Sequence, residues 1–123
     1  MTPSRPAVLI VEGQPFVGMV ASDILKESGY ETFHAFDAND ATALLGEHPE
    51  IEVVLTEAKL SGDVNGLDLC RQLSGQRPDL QLVIAAEDDL PPDNLPNGAR
   101  VLRKPYASGE LKTLIAAKAL LDA

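Results

Sequence analysis

The stretch VVLTEAKLSGDVNG, Val53 to Gly66, opens as an apolar run and closes in turn residues, with one carboxylate, Glu57, at the junction. A short continuous apolar run suits a strand buried on both faces of a sheet. Gly66 then opens a helical pattern in which Leu67, Cys70 and Leu73 face inward. A charged side chain between such a strand and such a helix is where α/β proteins often keep their chemistry.

The same grammar recurs on either side. AVLIV (Ala7–Val11), LVIAA (Leu82–Ala86) and VL (Val101–Leu102) are further apolar runs, and Ile51 precedes Val53–Leu55. ETFHAF (Glu31–Phe36) is more mixed and fits a less buried strand near an edge. Between the runs lie helical patterns. Val17, Val20, Ala21, Ile24 and Leu25 follow the spacing of one buried helix face, with Pro15 in the first turn and Gly29 at the end. Asp37 can cap a second helix with Ala38, Ala41, Leu44 and Leu45 inward, and Ser108 a last one with Leu111, Leu114, Ile115 and Leu121 inward. Three prolines in Glu87–Gly98 leave room for one short irregular helix at most.

Strand and helix thus alternate five times without linker or repeat. The pattern predicts an α/β fold, a (βα)5 doubly wound parallel sheet between two helical layers, with residues 1–123 as a single domain. At 45% hydrophobic and 24% charged residues the chain is expected to fold. Its net charge of -9 opposes nonspecific nucleic-acid binding, which needs a basic surface. Cys70, the single cysteine, rules out an internal disulfide and falls in a helical pattern, as a packed core thiol would. No apolar run approaches 18 residues, so no membrane span is expected and the expected location is the cytoplasm.

In open parallel sheets, sites form at the carboxyl ends of the strands, where the strand order reverses. The residues at these ends are Glu12 and Gly13 after the first run, Glu57 after the third, Ala85 and Ala86 ending the fourth, and Lys104-Pro105 after the fifth. Two carboxylates and a lysine arriving from separate strands make a solvated-charge reading weaker than a site or its relic.

On these residues the chain resembles the receiver domains of two-component response regulators, the CheY-like superfamily, over essentially its entire length. The segments that carry the resemblance are VLIVEGQPFVGMVASDILKESGYE, DANDATALL, VVLTEAKLSGDVNGLDLCRQL, RPDLQLVIAAED and GARVLRKPY. The resemblance implies a flavodoxin-like strand order of 2-1-3-4-5. It also implies a carboxylate pair after the first strand and an aspartate after the third that bind Mg²⁺. That aspartate accepts a phosphoryl group from a histidine kinase, and a Ser/Thr after the fourth strand and a lysine after the fifth hold the phosphoryl oxygens.

Carried over position by position, the implied site is damaged. Glu12 fills the first place of the acidic pair, but Gly13 stands at the second. Glu57 holds the phosphoacceptor position, Ala85 the hydroxyl position and Val101 the aromatic switch position, while Lys104 and Pro105 are retained. The Glu57–Gly66 loop is one residue longer than usual, with Ser61 for the common proline. The expectation is a pseudo-receiver that signals through protein contacts without phosphorylation. No metal or other cofactor is expected, Glu12 and Glu57 being weak candidates for Mg²⁺ only if the site still functions. Partners are expected among proteins of a bacterial signalling pathway, a histidine kinase included, with a homodimer also open. The alternatives are a conventional phospho-accepting regulator using Glu57 and, far behind, an enzyme using Glu12, Glu57 and Lys104. His34 and His48 are expected to lie away from the strand-end cluster, and no Gly-x-Ser-x-Gly elbow or Gly-x-x-x-x-Gly-Lys loop is present.

Overall fold

The structure, a computed structural model, describes residues 7–60, 65–87, 95–96, 99–104, 109 and 111. They form β1 (Ala7–Val11), α1 (Pro15–Glu27), β2 (Glu31–Ala35), α2 (Ala38–Glu47), β3 (Ile51–Glu57), α3 (Gly66–Gln76), β4 (Gln81–Ala86) and β5 (Arg100–Arg103). The five strands make one sheet, every pairing parallel, in the order β2-β1-β3-β4-β5. The architecture is the expected one. Calls on Pro105, Ser108, Leu114, Ile115, Leu121 and Ser61 fall outside the described residues, as does most of Glu87–Gly98.

Alternation along each strand divides the sheet's side chains between two cores. Leu9 and Val11 point with Val54, Leu82 and Ile84 toward Ala41, Leu45, Leu69, Cys70 and Leu73. Val8 and Ile10 point with Val53, Leu55 and Val83 toward Ala21, Leu25 and Leu111. A sheet covered on both sides has no wet face, which is why the central strands read as unbroken apolar runs. Burial pushes the Cys70 thiol up to about 12, as befits a core residue.

The helix ends follow local chemistry. The Asp37 carboxylate accepts the Asp40 N–H at 2.8 Å, and Asp40 in turn accepts the Phe36 N–H at 3.3 Å, a reciprocal cap at the start of α2. At the end of α1, Gly29 takes a left-handed φ of 90°, and the Tyr30 N–H returns to the Leu25 carbonyl at 3.2 Å. Asn65 caps α3 by accepting the Asp68 N–H at 2.9 Å.

Three face assignments need correction. In α1 the buried residues are Gly18, Ala21 and Leu25, while Val17 and Ile24 are half-buried and Val20 is 43% exposed. The helix is turned toward β2 because the His34 ring fills the space beneath Gly18 and because the Ser22 hydroxyl meets Thr32 Oγ1 at 2.6 Å. Counting only apolar side chains missed a face marked by glycine and serine. In α3 the fully buried leucine is Leu69, and Leu67 is half-buried. In α2, Leu44 is half-buried beside buried Ala38, Ala41 and Leu45.

Gly66 is the tightest glycine seat among the described residues. Its N–H donates to the Ala58 carbonyl at 3.0 Å, and a Cβ there would stand 1.7 Å from the Glu57 carbonyl oxygen, a backbone atom that cannot step aside. Gly66→Ala is expected to cost at least about 1–3 kcal/mol, the usual price of overpacking, in urea unfolding. Gly75→Ala, in the same helix with nothing near its added Cβ, is expected to gain up to about 1 kcal/mol. Equal effects at the two sites would refute the close-approach account.

Candidate functional site

Because all strands run the same way, their carboxyl ends meet at one edge, and backbone bonds carry the ladder a step past each end. The Glu12 N–H donates to the Ala35 carbonyl at 2.9 Å, the Ala58 N–H to Ala85 at 2.9 Å and the Lys104 N–H to Ala86 at 2.8 Å. The side chains of these terminal residues are therefore aimed by the sheet. Glu12, Glu57, Ala85 and Lys104 line one small cavity together with Gly18 and Ala21. An adjoining cleft runs over Gln14, Lys59, Ala86 and Glu87.

The Lys104 ammonium is paired with Glu57 Oε1, and both side chains are about four-fifths buried. Glu12 is 4% exposed and its carboxyl group hydrogen-bonds that of Glu57. Burial first, then the bond to Glu57 and its negative charge, raise the Glu12 carboxyl from 4.5 to about 7. Lys104 and the Gln14 N–H pull the other way without cancelling these effects. Two carboxyl groups in hydrogen bond need one shared proton. With that proton, Glu12, Glu57 and Lys104 form a row whose charges sum to zero, the condition under which charge is tolerated in a buried place.

The remaining positions offer less. Ala85 is buried, pairs in register with Glu57 and presents only a methyl group. Gly13 is exposed, and a Cβ there would meet only the Phe36 carbonyl oxygen, at an ordinary 3.7 Å. Val101 is exposed on β5, opposite Ile84, and does not line the cavity. Among the described residues, no group of three or more His, Cys, Asp or Glu is arranged to hold a metal ion.

One expectation about the histidines needs refinement. His34 does not line the cavity, but it touches the backbone behind it: its Nε2 lies 2.9 Å from the Glu12 carbonyl oxygen, and its ring stacks on Phe36 with centroids 4.2 Å apart. The register Ile10↔His34 sets it beside β1 two residues before Glu12, and the glycine in the middle of α1 was the clue to a ring beneath it. His48 does lie elsewhere, bonded to Glu50 at 2.9 Å and packed on Phe33. Sequence reasoning also passed over Thr56, a fully buried hydroxyl that donates to the Glu57 carbonyl at 3.0 Å.

The five-stranded order, the strand-end carboxylates and the lysine that meets them define a class, and the comparisons agree. Residues 8–116 match the response regulator receiver domain, and the chain belongs to that family. It is similar to the signal receiver domain of an HD domain-containing protein from Pseudomonas fluorescens Pf-5, with 26% identity, a TM-score of 0.82 and 96% of each chain covered. It is also similar to the receiver domain of NtrX from Brucella abortus, with 26% identity, a TM-score of 0.81, and 94% and 99% covered. A third is the signal receiver domain of a putative Luxo repressor protein from Vibrio parahaemolyticus, with 25% identity, a TM-score of 0.78, and 96% and 95% covered. This is a two-component receiver domain. No helix among the described residues is long and apolar enough to cross a membrane.

The raised Glu12 carboxyl has a consequence for stability. The folded chain keeps a proton that the unfolded chain releases near 4.5, so the folded state binds more protons up to about 7. The contribution of Glu12 is therefore most favourable below 4.5, declines as pH rises through that window, and is level above it. Urea midpoints of Glu12→Gln are expected to lose this downward component. A wild-type profile parallel to that of the variant from pH 4.5 to 7 would contradict it.

Proposed function

We propose that the chain, as a single receiver domain over residues 1–123, is a phosphorylation-independent interaction module of a bacterial two-component pathway. It works in the cytoplasm, by contact with protein partners rather than by catalysis. Histidine kinases, the usual partners of receiver domains, head the candidates. The observation that carries the reading is the ion pair between Lys104 and Glu57. It occupies the carboxylate at the phosphoacceptor position and the lysine that would hold a phosphoryl oxygen.

The donor set argues the same way. Mg²⁺ asks for near-octahedral oxygen ligands with dedicated carboxylates. Here position 13 supplies none, the Glu12 carboxyl is drawn toward neutrality by burial and then by Glu57, and Glu57 faces an ammonium group. These residues do not fit the ion. Phosphoryl transfer is chiefly positioning and charge neutralisation, and displacement of a reacting group by ~1 Å can cost on the order of a hundredfold in rate. Glu57 carries its carboxylate one methylene beyond an aspartate, and Ala85 has no hydroxyl to donate. As a mimic of phosphoaspartate, Glu57 brings one charge against roughly −1.5 to −2 for a phosphoryl group, and Val101 is no aromatic switch.

Incubation with acetyl phosphate and Mg²⁺ is expected to leave the intact mass unchanged, and beryllofluoride to leave the amide NMR spectrum around Glu57 unmoved. A mass shift that disappears in Glu57→Ala would establish the conventional phospho-accepting alternative instead. The defect is expected to lie in side chains alone, since the backbone at position 13 accepts a Cβ at an ordinary contact distance. Gly13→Asp, Glu57→Asp and Ala85→Ser combined are accordingly expected to gain a Mg²⁺-dependent mass shift, and a folded triple variant that stays silent would place the defect in the backbone.

A further inference from the structure

We infer that His34 is a positioning residue for the acidic pocket, acting through the backbone of Glu12, and that Gly18 is the seat that admits it. The inference is independent of whether Glu57 accepts a phosphoryl group. It starts from how Glu12 is held. Its N–H is bound to the Ala35 carbonyl at 2.9 Å and its own carbonyl lies 2.9 Å from His34 Nε2, so β2 grips both sides of the residue. A carbonyl oxygen only accepts, which requires the hydrogen on Nε2 and fixes the imidazole tautomer.

The ring has little freedom to leave. Phe36 stacks on one side of it, and a Cβ on Gly18 would come within 2.2 Å of it from α1. Glycine in a helix interior is destabilising by roughly 0.5–1 kcal/mol relative to alanine. At Gly18 that cost has a structural return, because no other residue leaves space for the imidazole. The pocket begins where this contact ends: the Glu12 side chain, fixed at its backbone by His34, extends to Glu57, which holds Lys104. Remove the N–H of residue 34 and the Glu12 backbone can turn. The fold keeps its cores, but the carboxyl pair loses its alignment.

Two variants separate the hydrogen bond from the packing. His34→Leu fills the space beneath Gly18 without a donor, whereas His34→Gln keeps an N–H and gives up the ring. The readout is side-chain NMR: the nuclear Overhauser contact between the Glu12 and Glu57 γ-methylenes and the Lys104 ammonium resonance, with thermal stability measured in parallel. Loss of the Glu12–Glu57 contact and a shifted Lys104 signal are expected in His34→Leu, with both retained in His34→Gln even where its melting temperature falls. A folded His34→Leu with an unchanged pocket, or a His34→Gln that behaves like His34→Leu, would overturn the inference. If His34→Leu does not fold, long-range ¹H–¹⁵N correlation on the unmodified protein decides: hydrogen on Nε2 supports the inference, and hydrogen on Nδ1 with bare Nε2 refutes it.

Discussion

A parallel sheet covered on both faces leaves its polar chemistry only one place to go, the ends of its strands. The buried stretches of the central strands are almost wholly apolar, and at their carboxyl ends the sheet delivers three charged side chains, Glu12, Glu57 and Lys104. At that edge the side chains are still largely out of water, so none can stand alone. The Lys104–Glu57 pair and the raised Glu12 carboxyl answer that constraint. Together they balance charge across three strands.

The same constraint explains how much could be read from the sequence. Double-sided burial turns strands into continuous apolar runs, so Ala7–Val11 was located to the residue and the chain's alternation gave the sheet. β3 and β4 ran past their apolar cores, to Glu57 and back to Gln81, because backbone pairing continues where hydrophobicity stops. The strand-end rule groups Glu12, Glu57, Ala85 and Lys104, and these four line one cavity. What failed was anything carried by a small or polar contact. Gly18 and Ser22 set the roll of α1, yet neither counts in an apolar periodicity. His34 looked remote because its chemistry runs sideways, from an edge strand to a neighbour's carbonyl, and single-sequence reading has no view of register.

Gly66 and Gly18 make a useful contrast among the glycines. Both sit in helices and both exclude a Cβ, but what they exclude differs. At Gly66 the obstacle is the Glu57 carbonyl itself, so the glycine couples the start of α3 to the strand end that carries the acceptor position. At Gly18 the obstacle is a side chain, so the glycine and His34 are a matched pair that could change only together. Gly13 is the opposite case, where an added Cβ would make only an ordinary contact with the Phe36 carbonyl oxygen. Nothing in the local packing asks for glycine there.

That last observation bears on how the pocket came to its present chemistry. If the backbone had closed over the site, position 13 would be crowded, and it is not. The features the proposed reading rests on are side chains: glycine at 13, a methyl group at 85, and a glutamate at 57 whose carboxylate pairs with Lys104. An aspartate at 57 would end one bond sooner, leaving lysine and carboxylate free to face a shared ligand. The longer side chain spans the gap and satisfies the lysine directly. On the proposed reading, a pocket that neutralises its own charges leaves little electrostatic demand for a phosphoryl group to meet.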